Sequence, residues 1–190
     1  HYPLRRQRQM CIRDRIRDNP KGHYKLVNDI DLAGVVWEPI GYFDTNSSIN
    51  SEESFSGSLD GGGYTIRNAV IRGKRERDAT GLFSRTQSAV FKNVRLENFD
   101  VRGNYWTAGL VALAAGDTYM ENCSIDDASK IVGSYREVLG SLFVSYNSWN
   151  SGGLFGFAQN IRIMDCSSSA QIGDQEVLGS FSTEKVGGLG

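Results

Sequence analysis

The stretch that decides the fold is Thr80-Gly81-Leu82-Phe83-Ser84, in which a Gly-Leu pair precedes an apolar residue. The cluster recurs as Ala108-Gly109-Leu110-Val111-Ala112, as Gly152-Gly153-Leu154-Phe155-Gly156 and, in part, as Gly187-Gly188-Leu189-Gly190. The four leucines stand 28, 44 and 35 residues apart. Recurrence at spacings of this size is typical of a repeat architecture.

A second pattern follows each cluster at a nearly constant distance. It is a polar residue and then an apolar one, in the pairs Asn93-Val94, Asn122-Cys123 and Asp165-Cys166. Asn68-Ala69 fits the same frame, so we expect it to share both columns. Because Asn and Gly both tolerate left-handed backbone angles, the Asn positions and the Gly of each Gly-Leu cluster predict tight bends with positive φ.

The predicted fold is all-β, a right-handed parallel β-helix (β-solenoid) with a short N-terminal cap. Each unit holds very short strands that cannot bury their own apolar face, so stability requires stacking on neighbouring units. The hand follows the usual rule for parallel crossovers. The extra length between Leu110 and Leu154 is predicted to lie within residues 131–150, as a surface excursion or an added hairpin.

The domain is predicted to span residues 16–190 and to be truncated at its C-terminus. Residues 1–15 are interpreted as a non-native leader, because the run from Met10 to Arg15 resembles a translated sequencing adapter. Residues 1–20 hold six Arg against two Asp, which leaves 15 basic and 20 acidic residues and a net charge of −5 for the rest. A mildly acidic body argues against nucleic acid as partner. No apolar run approaches the roughly 20 residues of a membrane span.

Cys123 and Cys166 fall in the same predicted column, as inward neighbours in adjacent coils. One interpretation is that they are small apolar core residues, since free Cys is often buried. A disulfide between them stays open, because stacking would bring their Cα atoms within bridging range.

No catalytic constellation is recognised. The only histidines are His1 and His23, so the His-Glu-x-x-His zinc motif is absent, as are nucleophile elbows and Walker loops. A carboxylate set of Asp29, Asp31 and Asp44 could suit glycosidase chemistry, but turn positions favour a structural interpretation. We therefore predict a chain with no enzymatic activity, cofactor or metal site.

Aromatic residues are the best indication of ligand binding. Tyr105-Trp106 precedes the second Gly-Leu cluster, and Tyr146 and Trp149 precede the third. Aromatic faces beside Asn and Ser suit contacts with sugars or proteins. The alternative is that these side chains cover the core at a bend.

The ordered pattern resembles the GLUG-motif repeat family. The resemblance is carried by the Gly-Leu clusters, by Asn122-Cys123-Ser124, and by the leader Tyr24–Leu32 with Trp37–Gly41 and Phe55–Ile66. One departure is the stretched second unit, and another is Ser84 and Ala112, where the family often has Gly. Such repeats occur in bacterial surface and secreted proteins, including adhesin-like proteins and non-catalytic parts of IgA-cleaving metallopeptidases.

The resemblance implies an extracellular or cell-surface scaffold in a bacterium. Its ligand would be a host glycan or protein, or its partner another domain of the same chain. Two alternatives stay open at this point: a fragment of a carbohydrate-active β-helix enzyme, and the stalk of a larger secreted peptidase.

Overall fold

The computed structural model describes residues 14–41, 54–74, 78–133, 135–139, 142–146, 150–173 and 186–187, the backbone alone for 135–139, 142–146 and 186–187. Helix α1 covers residues 14–18, and strands make up the rest of the regular structure. The predicted leader at 1–15 lies outside the described residues except for its last two, which begin α1. Among the described residues, no helix combines the length and apolar character needed to cross a bilayer.

Three parallel sheets contain five strands each. Sheet A is β1 (His23–Lys25), β4 (Ser58–Asp60), β8 (Val90–Lys92), β13 (Thr118–Glu121) and β20 (Ile161–Met164). Sheet B is β2 (Ile30–Asp31), β5 (Thr65–Arg67), β9 (Arg95–Glu97), β14 (Ser124–Ile125) and β21 (Ser167–Ser168). Sheet C is β3 (Val36–Trp37), β6 (Val70–Arg72), β10 (Asp100–Arg102), β15 (Lys130–Val132) and β22 (Gln171–Ile172).

Two further parallel sheets contain three strands each. Sheet D is β7 (Phe83–Gln87), β12 (Val111–Ala115) and β19 (Phe155–Ala158). Sheet E is β11 (Trp106–Ala108), β18 (Asn150–Gly152) and β23 (Val186–Gly187). Single bridges from Ile40 and Phe55 extend sheet D, and one from Thr80 to Thr107 extends sheet E.

The chain passes through the sheets in the order D, A, B, C, E and then returns to D one strand further on. We call one such passage a circuit. The first three Gly-Leu clusters each link sheet E to sheet D, and the register aligns Phe83 with Val111 and Val111 with Phe155. The partial copy follows this frame, because Gly187 pairs with Gly152. The prediction of an all-β chain built from parallel strands is confirmed.

The core is built from columns of like residues on sheets A, B, C and D, and no described residue of sheet E belongs to it. Inward positions of neighbouring strands stack, for example Ile66 on Leu96 in sheet B and Ile71 on Val101 in sheet C. The leucines of the clusters, Leu82, Leu110 and Leu154, are buried as well. Stacking therefore buries apolar surface that no single circuit could cover alone.

The extra length in the second spacing, between Leu110 and Leu154, forms an antiparallel hairpin of β16 (Tyr135–Leu139) and β17 (Leu142–Tyr146). It lies between β15 and β18, so the prediction of an added hairpin is confirmed. The residue offset between paired strands is 30 where Arg102 meets Val132 and 44 where Trp106 meets Asn150. Most of the extra length thus enters at one place.

The prediction that the glycines of the clusters have positive φ is wrong. Gly81, Gly109 and Gly153 are absent from the positive-φ positions, which do include Gly62 and Gly116. Space is what excludes a side chain: a Cβ on Gly109 would lie 2.7 Å from the Gly153 carbonyl oxygen, and one on Gly153 would lie 1.8 Å from Ser168 Oγ. At these links the backbone lies against side chains of sheet B, Ile125 at Gly109 and Ser168 at Gly153, which leave no space for a larger residue.

The placement of Asn68-Ala69 in the same columns as Asn93-Val94 is also wrong. Left-handed residues recur between sheets D and A, at Ser88, Asp117 and Asn160. Asparagines take this conformation at two further bends, the first between sheets A and B and the second between sheets B and C. Asn93 and Asn122 occupy the first bend, and the Asn122 side-chain amide donates to Asn93 at 2.8 Å. Asn68 and Asn98 occupy the second, where the Asn98 amide donates to Asn68 at 2.8 Å.

Candidate ligand-binding flank

Sheet E differs in charge from sheets A, B and C. Its described strands, β11, β18 and β23, contain no charged residue. Outward positions of sheets A, B and C carry ion pairs, such as Lys92 with Glu121 at 2.7 Å and Arg67 with Asp31 at 3.7 Å. The flank formed by sheet E, which we call the E flank, is therefore uncharged on its described strands.

Trp106 is the central aromatic residue of the E flank. Its ring stacks on Phe157 of β19, with centroids 5.2 Å apart and planes inclined by 24°, and Tyr105 lies against it at 4.6 Å. All three residues are half-buried. Trp106 and Phe157 pack on a small apolar cluster of Ala79, Ala112 and Leu113, separate from the main core. The aromatic group thus covers apolar residues at a bend while part of its surface faces solvent.

The chain enters the hairpin and returns from it beside this aromatic group. Before it, the Gly103 N–H donates to the Val132 carbonyl at 2.9 Å. After it, Asn150 pairs with Trp106 and donates its N–H to the Tyr105 carbonyl at 3.3 Å. Tyr146 ends β17 opposite Tyr135, and Trp149 lies outside the described residues.

A cleft of about 650 Å³ opens where sheets C, D and E begin. Its walls are mainly apolar and include Trp37, Pro39, Ile40 and Ala79. Ser84 also lines it, and the Ser84 Oγ is buried without a hydrogen-bond partner among the described residues. Sequence reasoning missed this cleft because its residues come from distant positions. The one signal was Ser84 itself, which stands where the repeat family often has Gly.

The charged residues at the rim of the cleft neutralise one another. Glu38 accepts hydrogen bonds from Lys74 at 2.7 Å and from Arg17 at 3.4 Å. The Lys74 hydrogen bond and charge hold the pKa of Glu38 below its ordinary value, with a smaller contribution from Arg17.

The candidate carboxylates serve the turns in which they lie. Asp29 accepts a hydrogen bond from the Thr65 N–H at 3.0 Å, and Asp31 accepts one from the Asn68 amide at 2.8 Å. Both carboxylates also face Arg67, at 3.8 and 3.7 Å. Asp44 lies outside the described residues. Within the described ranges, no three His, Cys, Asp or Glu residues are grouped so that they could hold a metal ion.

Comparison with known proteins gives one partial relative. The chain is 36% identical over 100 residues to a protein named Halomucin from the archaeon Haloquadratum walsbyi (strain DSM 16790 / HBSQ001). The match covers 50% of this chain and 1% of Halomucin. No protein-family model matches the chain, and no solved structure matches it.

Proposed function

We propose that this chain is a non-catalytic repeat scaffold of an exported surface protein, and that its E flank binds a neutral glycan. The observation that carries the proposal is the Trp106–Phe157 stack on a flank whose described strands are uncharged. In this proposal the circuits form a right-handed parallel β-helix that holds the flank rigid.

The extracellular location is supported by the similarity to Halomucin, whose name places it with the mucins. A bacterial source and membership of the GLUG-motif family belong to the proposal as well, and they rest on the residue pattern described above. The Halomucin match lies in an archaeon, so such a domain would occur in both groups of organisms.

The choice of a neutral glycan follows from the chemistry of the flank. A sugar presents C–H groups that pack on an aromatic face and hydroxyl groups that need amide or hydroxyl partners. Trp106 and Phe157 supply the face, and Asn150 stands beside Trp106 in the register. An acidic polysaccharide would find no cation on the described strands of sheet E to compensate its charge.

The test is binding of the full chain to immobilised polysaccharides, neutral and acidic in parallel. We expect binding to a neutral polysaccharide that falls at least tenfold in Trp106→Ala and stays unchanged in Tyr64→Ala, an exposed aromatic on another face. Circular dichroism verifies that both variants are folded. Equal binding by Trp106→Ala and the unsubstituted chain, or binding to acidic polysaccharides alone, would contradict the proposal.

The non-catalytic part of the proposal has its own test. The same polysaccharides are incubated with the chain, and new reducing ends and shorter products are measured over time. We expect no chain-dependent release. Release that scales with protein concentration would support the alternative of a carbohydrate-active enzyme.

A further inference from the structure

Cys123 and Cys166 lie side by side in consecutive circuits, just before β14 and β21. The Ser167 N–H donates to the Cys123 carbonyl at 3.0 Å, and the Cys123 N–H donates to the Cys166 Sγ at 3.4 Å. Strands that pair in this way lie about 4.8 Å apart. That separation is within the range of about 4.4–6.8 Å between the Cα atoms of bridged cysteines.

The two thiols differ in their surroundings. Cys123 is buried, with 1% of its surface exposed, because circuits lie on both sides of it. Cys166 is half-buried and packs against the core from the adjacent circuit. An external reagent can therefore reach Cys166 more easily than Cys123.

The local hydrogen bonds strengthen this difference. A hydrogen-bonding interaction with the Cys123 side chain lowers the pKa of Cys166 to about 7. The same interaction, together with burial, raises the pKa of Cys123. These shifts favour the thiolate at Cys166 and the protonated thiol at Cys123. The thiolate is the form that attacks a disulfide.

We propose that Cys123 and Cys166 form a redox-active pair that closes to a disulfide between consecutive circuits, with Cys166 as the attacking thiol and Cys123 as the resolving thiol. The co-reactant is a small-molecule disulfide. The inference does not depend on glycan binding.

The reaction proceeds in two exchanges. In the first, the Cys166 thiolate attacks one sulfur of the small-molecule disulfide, forms a mixed disulfide and releases one thiolate. In the second, Cys123 loses its proton to solvent and attacks the Cys166 sulfur, which releases the second thiolate. Two protein thiols are oxidised, and one small-molecule disulfide is reduced to two thiols.

The closed form would tie β14 to β21 across the chain segment that contains the hairpin. Closing a loop of 43 residues restricts the unfolded chain more than the folded one. We therefore expect the oxidised chain to melt several degrees above the reduced chain.

The experiment uses the full chain with Cys11→Ser, so that Cys123 and Cys166 are its only thiols. The reduced protein is incubated with glutathione disulfide, quenched in acid, denatured without reductant and analysed by intact mass and thiol titration. We expect the loss of two hydrogen atoms and of both thiols. Two free thiols after prolonged incubation would overturn the proposal.

Single variants in the same background test the assigned roles. Cys123→Ser is expected to hold one glutathione on Cys166, and Cys166→Ser to react at least tenfold more slowly. Circular dichroism checks that each variant is folded. Equal rates of adduct formation in the two folded variants would overturn the assignment, and the result for the chain with both cysteines does not depend on either variant.

Discussion

At the scale of single residues, the bends between sheets depend on asparagines in a backbone conformation that most residues avoid. Asn93, Asn98 and Asn122 have φ values of 54°, 52° and 51°. Their side chains also bond along the stack, from one circuit to the next. Each asparagine therefore contributes both a tolerated backbone conformation and a hydrogen bond.

These two contributions can be separated at Asn122. Asn122→Gly removes the hydrogen bond to Asn93 but keeps the backbone tolerance, whereas Asn122→Ala removes both. We expect Asn122→Ala to lower the free energy of unfolding by about 2 kcal/mol, roughly 1 kcal/mol more than Asn122→Gly. Urea unfolding measures both values. Equal losses in the two variants would show that the φ value at this position has no energetic role.

The pKa of Asp60 depends on Asn93, which belongs to the same stack of asparagines as Asn122. The Asn93 amide donates to Asp60 at 3.0 Å and lowers the pKa of this carboxyl group, with a further contribution from the Gly62 N–H. A lowered folded pKa means that this stabilisation is present above the unfolded pKa and is lost as the pH falls through the folded one. In Asn93→Gly we expect the pKa of Asp60 to rise towards its ordinary value.

Carbon-13 NMR titration of the Asp60 carboxyl group measures this shift. Asn98→Gly is the matched control, because Asn98 occupies the other bend and bonds to Asn68. An unchanged Asp60 titration in Asn93→Gly would contradict the role given to the Asn93 amide.

At the scale of elements, the hairpin is an insertion into an otherwise continuous circuit. Its strands β16 and β17 pair only with each other among the described strands. Gly103 and Gly133 stand at equivalent positions, since Arg102 pairs with Val132. In the shorter circuit, Asn104-Tyr105 alone connects Gly103 to Trp106.

Replacing residues 134–149 with Asn-Tyr should therefore recreate the shorter connection. We expect the variant to keep its parallel sheets and to unfold within about 1 kcal/mol of the original chain, because the removed strands pair with none of the five sheets. Circular dichroism and urea unfolding measure this. Loss of cooperative unfolding would mean that the hairpin is part of the folding unit.

Some of these elements could be predicted from the sequence and others could not. The spacing of Leu82, Leu110 and Leu154 predicted parallel stacking and the place of the hairpin, because the repeat and its interruption are visible in the chain itself. It could not separate Asn68 from Asn93, since the bend between sheets A and B and the bend between sheets B and C both use Asn with an apolar residue after it. The register between strands, which depends on packing, is what distinguishes them.

The E flank and the cleft were harder to predict from the sequence. Trp106 was identified as a candidate, but its partner Phe157 stands 51 positions away and carries no local signal. Trp37 of sheet C and Ser84 of sheet D both line the cleft, although they are distant in sequence. Contacts of this kind follow from the complete stack and not from any one repeat.

At the scale of the whole molecule, each circuit contacts only the circuits next to it, so stability should depend on position along the stack. Leu110 is buried between the equivalent residues Leu82 and Leu154. Ile163 lies in β20, which has β13 as its one described neighbour in sheet A, and it is half-buried. A cavity at Leu110 weakens two interfaces between circuits, and one at Ile163 weakens a single interface.

We therefore expect Leu110→Ala to lower the free energy of unfolding by about 3 kcal/mol and to speed amide exchange in all five sheets. Ile163→Ala should cost about 1 kcal/mol and speed exchange mainly in β20, β21 and β22. Hydrogen exchange followed by mass spectrometry measures both patterns. Uniform acceleration in Ile163→Ala would mean that the circuits open as one unit. The E flank would then be no more rigid than the outermost strands, and its binding would depend on the stability of the entire chain.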